Sequence, residues 1–274
     1  FVVGRVRYDY GAESYVGALV TDREFMGSSN RVAGFDGRFR VSSTKRLSVI
    51  AAASSNLDDE GASSRGYLAQ AGFSHNGRNL DWNVNAFDYS PGFVTRMGFL
   101  RRVDVRKVDG NLSWTEFPNG LIVSWTPRVQ YERAFDHSGF KTDEQVQPGI
   151  NVRFARNINA RFNTTFDMER FNGVDFKKRS YSTGGDANFS RALSFGGDWN
   201  WGDAVRYTAE PFLGRSSGGR VNATLRPTPR LEASFGVNFS RFVDVRSDSL
   251  LFDVKTYRVS TNYQFTDRLQ LRDI

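Results

Sequence analysis

Arginines and carboxylates recur along this chain at positions where their spacing could do chemistry. Arg5, Arg7, Arg38, Arg40, Arg128, Arg153, Arg161 and Arg258 each stand between apolar, aromatic, Gly or Pro neighbours. In an extended strand such a residue projects to the face opposite its neighbours. Asp9, Asp36, Asp81, Glu132, Asp167, Glu169, Asp186 and Glu232 fall on the same polar faces. A guanidinium is a rigid fork that grips a carboxylate or a phosphate through two parallel hydrogen bonds. Two readings follow. The set is an internal ion-pair and hydrogen-bond network that stiffens a wall, or it lines a passage that favours anions or contacts sugars. Interleaving with acids disfavours nucleic acid, because no basic stripe or recognition motif results.

Other reactive groups are scarce. His75 and His137 are the two histidines, one closing a strand pattern and one in a loop. A hydrolytic triad needs a histidine held by a carboxylate and touching a nucleophile, which spacing alone does not supply here. No enzymatic activity is expected. Asp58, Asp59 and Glu60 form an acidic run without the spaced oxygens of a Ca²⁺ loop, so a solvated loop is expected and no metal. Gly184-Gly185-Asp186 and Ser216-Ser217-Gly218-Gly219-Arg220 lack the following Lys-Ser/Thr of a phosphate loop. Tight turns or close backbone approaches explain them. With no cysteine there is no disulfide or thiolate site, and no cofactor is implied.

The elements that must carry these residues alternate with period two. The clearest are Val2–Tyr10, Leu121–Tyr131, Ala160–Met168, Leu231–Phe239 and Tyr257–Phe265, each with one dry and one polar face. About 16 strands of about 9–13 residues are expected, longer than the usual soluble strand. That length matches the roughly 9–11 residues with which a tilted strand crosses a bilayer. Tight connections are expected near 42–45, 76–79, 156–159, 227–230 and 266–267. Longer polar ones are expected at 56–65, 135–144, 172–178 and 243–249. Pro91-Gly92 breaks the pattern, and the segment 89–106 is expected to be a long loop folding over or into the sheet. A second irregular stretch is expected at 204–219.

The chain has 274 residues, 39% of them hydrophobic, and a mean hydropathy of −0.49. No run approaches the roughly 18 apolar residues of a transmembrane helix. Alternation reconciles that figure with a membrane, since only every second residue of a barrel strand faces lipid. A soluble sandwich, propeller or open sheet also alternates. Three features favour the barrel. The polar faces carry Arg, Asn, Ser, Thr, Gln, Asp and Gly rather than Lys and Glu. Aromatics (Tyr8, Tyr10, Tyr131, Trp201, Tyr263, Phe265) end the apolar faces. Strand length is uniform. The expected fold is all-β, an antiparallel transmembrane outer-membrane β-barrel with about 16 strands visible, in a single domain spanning 1–274. The net charge is +7, and of 37 basic residues only six are lysine. Much of that arginine excess is expected to face a lumen.

Several segments resemble a known family. They are Val2-Val3-Gly4-Arg5-Val6-Arg7, Val16-Gly17-Ala18-Leu19-Val20-Thr21, Asn30-Arg31-Val32-Ala33-Gly34-Phe35-Asp36, Leu80-Asp81-Trp82-Asn83-Val84 and Met97-Gly98-Phe99-Leu100-Arg101-Arg102. In this order they resemble the C-terminal domain, of unknown function, of bacterial proteins with an N-terminal carbohydrate-binding module of the family 9 type. The resemblance implies an outer-membrane β-barrel and supplies no catalytic residues. It also implies a longer protein, because that module is missing and the chain stops at Leu269–Ile274 in a strand-like pattern without a terminal aromatic. The expected partners are outer-membrane lipid and lipopolysaccharide, with other envelope proteins and glycans as further candidates. The expected role is a channel or uptake component, for glycans or anionic solutes. The alternatives are a plugged barrel serving as anchor or scaffold and, behind it, an outer-membrane hydrolase.

Overall fold

In the computed structural model residues 1–273 are described; Ile274, the end of the terminal strand-like pattern, lies outside them. The described residues form sixteen strands: β1 (Val2–Tyr10), β2 (Ser14–Phe25), β3 (Ser28–Arg40), β4 (Lys45–Leu57), β5 (Ser63–Asn76), β6 (Leu80–Tyr89), β7 (Val105–Trp114), β8 (Ile122–Phe135), β9 (Lys141–Phe154), β10 (Ile158–Phe171), β11 (Val174–Asn188), β12 (Leu193–Arg206), β13 (Phe212–Thr228), β14 (Leu231–Asp244), β15 (Ser249–Thr266) and β16 (Leu269–Asp273). They follow one another in chain order in one sheet, each beside its sequence neighbour. Neighbouring strands pair antiparallel, as β1 with β2, β2 with β3, β4 with β5, β10 with β11 and β14 with β15 do. The expected all-β antiparallel architecture and strand number are what the structure has.

Several expected loops are shorter than their composition suggests. The polar stretches at 56–65, 135–144, 172–178 and 243–249 are partly strand, leaving connections of only two to five residues. The hairpin joining β10 to β11 shows why. Asn172 and Gly173 both have positive φ (49° and 77°), the two-residue geometry whose twist matches the flanking strands. Polar residues flank that turn because the strands run on beyond the apolar zone. The stretch at 204–219 is likewise strand on both sides of a short connection at 207–211. Only the segment 90–104 between β6 and β7 is long.

The fold divides into two compact units, Phe1–Ser113 with Gln130–Gln145, and Trp114–Val129 with Val146–Ile274. In the first, Val6 pairs with Ala18, Ala18 with Phe35, and Phe73 with Val84, so these lie on one face. That face is bare: Val6 is 73% exposed and Phe35 58%. In the second, Phe195 pairs with Ala223 and Ala223 with Phe235, which in turn pairs with Val259. All five tryptophans (Trp82, Trp114, Trp125, Trp199, Trp201) lie on these apolar faces. Few hydrophobic side chains are buried, among them Val32, Phe93, Phe176 and Phe242. A soluble sheet of this size would cover such a face with a second layer. Among the described residues no second layer covers it, and the bilayer is the medium that fits it. A meander of long strands with this alternation is the architecture of an outer-membrane β-barrel.

Candidate functional site: the polar face

All sixteen arginines and carboxylates singled out in the sequence project from the polar face of their strands, as register and parity require. They do not form one cluster. Arg5 donates to both oxygens of Asp36 at 3.1 and 3.0 Å. Arg7 holds Asp9 at 2.6 Å. Arg40 lies 3.6 Å from Glu13, which also takes Arg46 at 2.8 Å. The guanidinium of Arg46, and then Arg40, hold the Glu13 carboxyl below its ordinary range. In the second unit Arg128 donates to Asn163 at 2.9 Å, Asp186 accepts from Asn159, and Glu232 accepts from Arg226. Asp167 and Glu169 converge on Lys178 at 3.0 and 2.6 Å. Glu132 accepts from Lys107, which also pairs with Asp109 at 2.9 Å. Arg38, Arg153, Arg161 and Arg258 have no carboxylate within ion-pair distance among the described residues, and neither does Asp81 a cation. Much of the set is therefore network, and four arginines are left over.

Two cavities open on this face beside three of those four. In the first unit a cavity of about 750 Å³ is lined by Arg7, Arg38, Arg46, Glu13, Tyr15 and Asn85, among others. The Tyr15 ring lies under two guanidinium groups, Arg7 at 4.0 Å and Arg38 at 5.9 Å. In the second unit Arg153 and Arg161 share a cavity of about 270 Å³ with Ser124, Thr126, Asn151 and Asn159. Planar donors beside hydroxyls and amides can satisfy the oxygens of an anion or a sugar.

The segment 90–104 is pinned to the polar face of the first unit. Fully buried Asn30 anchors it twice: its side-chain amide donates to Val94 O, and its oxygen accepts from Arg96 N, both at 3.0 Å. Ser54 Oγ accepts from Val94 N at 3.0 Å, and Asn56 accepts from Arg96 Nε at 3.2 Å. Phe93 is buried against Gly66, where a Cβ would collide with the Phe93 backbone. This explains a glycine in mid-strand. Further along, Arg102 pairs with Asp143 at 2.6 Å. Asp104 takes the backbone N–H of His137 at 2.9 Å, which holds its carboxyl below the usual range. The segment thus folds onto the sheet, as Pro91-Gly92 suggested.

The histidines do not form a hydrolytic site. Both ring nitrogens of His137 are taken by carboxylates, Asp88 at 2.9 Å and Asp104 at 3.0 Å. His75 stacks on Trp82 from the apolar face. The acidic run at 58–60 caps its own turn, with Asp58 accepting from the backbone of Glu60 and Ala62.

Asn30, Ser54, Asn56, Lys107, Lys178, Glu13 and Tyr15 were not singled out by sequence. Lys178 falls where a polar loop was expected, and only the Asn-Gly turn with positive φ carries β11 back to include it. Asn30, Ser54 and Asn56 alternate with Val32 and Ala52 on polar faces. Their shared signal was position opposite a segment that cannot itself be strand.

No protein-family model matches the chain, and no curated protein matches it in sequence. Three solved structures are similar. The FrpB iron transporter from Neisseria meningitidis (F3-3 variant) is 14% identical, with a TM-score of 0.45 over 92% of this chain and 49% of that one. The chain therefore spans about half the length of that transporter. OccK5 (OpdH) of Pseudomonas aeruginosa is 10% identical, with a TM-score of 0.44 over 99% of this chain and 95% of that one. The siderophore receptor PiuA from Acinetobacter baumannii is 9% identical, with a TM-score of 0.32 over 98% of this chain and 74% of that one.

Proposed function

We propose that this chain is an outer-membrane barrel that passes small anionic solutes or glycans along its polar face, as a channel or uptake component. The observation that carries this reading is the set of unpaired arginines that line cavities on the polar face of each unit. Among ordered walls of paired charges, the unpaired Arg38, Arg153 and Arg161 stand where a passing anion or sugar hydroxyl can accept from them. A segment held to one wall by Asn30, Ser54 and Asn56 narrows a passage and sets its selectivity. The resemblance to a domain that accompanies a carbohydrate-binding module favours glycans among the uncharged candidates.

Single-channel recording of the refolded chain in planar bilayers tests this. A steady current with anion preference is expected. Replacing Asn30 and Ser54 together by alanine frees the segment and should raise conductance, while Arg38→Gln with Arg161→Gln should weaken the anion preference. A folded barrel that carries no current, before and after release of the segment, would refute conduction and leave a plugged scaffold.

A further inference from the structure

The apolar face of the second unit ends in a feature that solute passage does not use. On that face Tyr181 pairs with Trp201, Trp201 with Ser217, and Ser217 with Arg241 in one cross-strand row. Tyr181 stacks on Trp201 at 5.5 Å, and Trp199 lies 4.5 Å from Trp201. One step beyond this row stand Arg179, with its guanidinium over Phe166 at 5.0 Å, and Arg215, opposite Asp203. Arg179, Trp201, Asp203, Arg215 and Arg241 line one groove of about 500 Å³.

The charges in this groove are unbalanced. Two acids lie near it, Asp203 opposite Arg215 and Asp253 opposite Arg241. Neither comes within ion-pair distance of a guanidinium among the described residues, and Asp203 is occupied by the backbone N–H of Arg179 at 2.9 Å. All three arginines are exposed. The row of aromatic rings marks the depth at which an apolar wall meets the headgroups, because such rings are half wet there. The three cations therefore lie at the level of lipid phosphates.

The end concerned is the one where strands run on. β11 continues from Arg179 to Val174, past the aromatic row, whereas at the other end Tyr263 and Phe265 stand beside the Thr266 turn. Strands of outer-membrane barrels extend past the bilayer on the outward side, where the loops are.

We propose that Arg179, Arg215 and Arg241 form a binding site for the phosphate of a phosphorylated glycolipid in the outer leaflet. The forked guanidiniums grip the phosphate oxygens, and Trp201 and Tyr181 pack beneath the headgroup. The proposal rests on the outer-membrane location and is independent of conduction.

Native mass spectrometry of the chain in detergent tests it, with four probes: diphosphoryl lipid A, its dephosphorylated form, phosphatidylglycerol and inorganic phosphate. Diphosphoryl lipid A should bind at least about tenfold more tightly than the others. Arg215→Gln with Arg241→Gln should remove that advantage, and the matching lysine pair should retain most of it. Arg31→Gln, on the apolar face of the first unit, should leave binding unchanged. Equal binding by wild type and the glutamine pair would overturn the site. Equal binding of phosphatidylglycerol, inorganic phosphate or dephosphorylated lipid A would overturn the assignment to a phosphorylated glycolipid. Should the pair fail to fold, seen as loss of heat-modifiable migration, Arg241→Gln alone carries the comparison. Conductance of the same preparation reports the uptake reading separately.

Discussion

Arg31 on the apolar face of the first unit and three arginines on that of the second are set in opposite ways. In the first, Arg31 is saturated by Asp22 at 3.2 Å and by Glu24. In the second, Arg179, Arg215 and Arg241 stand at the corresponding edge of an aromatic row with no carboxylate in reach. Desolvating an arginine beside lipid is costly, and an internal partner offsets part of that cost. Where the chain supplies no partner, the counter-charge must come from outside. On the polar faces the units agree: each places one lysine between two acids, Lys107 with Asp109 and Glu132, Lys178 with Asp167 and Glu169. The unpaired rim therefore stands apart from the paired networks, as Arg38, Arg153, Arg161 and Arg258 do on the polar faces.

The largest expected effect separates the two lysines. The Lys178 side chain is 14% exposed and its two acids 21% and 23%. Lys178→Met leaves two carboxylates facing each other with little water, and a loss of about 3 kcal/mol is expected in urea unfolding from lipid vesicles. Lys107, at 27% exposure, should cost no more than half as much when changed in the same way. Equal losses would remove the distinction in burial between the two sites.

Next come the two faces of one strand. Phe235→Arg places a charge on the bilayer wall and should destabilise by about 2 kcal/mol, whereas the adjacent Ser234→Arg, on the polar face, should stay within about 1 kcal/mol. Similar values for both would mean that the faces are not distinct in environment.

A smaller effect is expected at the pinned segment. Asn30→Ala removes three hydrogen bonds, to Val94 O, Arg96 N and Asn56, at a fully buried position, and about 1–3 kcal/mol is expected from the groups left unsatisfied. Hydrogen exchange at Val94 and Arg96 should quicken well before that of β3 itself.

The smallest effect is a pH dependence. The Asp104 carboxyl is held below its ordinary value, first by the His137 N–H, so the ionised form is favoured in the folded state. Its contribution is fully present above the unfolded value of about 3.9 and is lost as pH falls through the lowered folded value. Exchange protection of the His137 amide should fall in that acid window and not between pH 5 and 8.

The strands and their faces were legible in the sequence because period two is a local property. Arg161 and Phe162 declare opposite faces with no knowledge of what pairs with them. The sixteen polar-face residues follow from the same parity. What neighbours they meet is a matter of register, and register is not local. Nothing in the sequence sets Asp167 and Glu169 against Lys178, or Asn30 against Val94. The long polar connections were misjudged for a related reason: strands that protrude past the apolar zone have two wet faces, and composition alone reads them as loop.

The apolar faces of both units should meet lipid while the polar faces do not. All five tryptophans lie on the apolar side, so their fluorescence reports it directly. In vesicles containing brominated phospholipid the emission of the folded chain should be strongly quenched, and aqueous iodide should quench it weakly. Quenching by iodide, with brominated lipid without effect, would contradict the account.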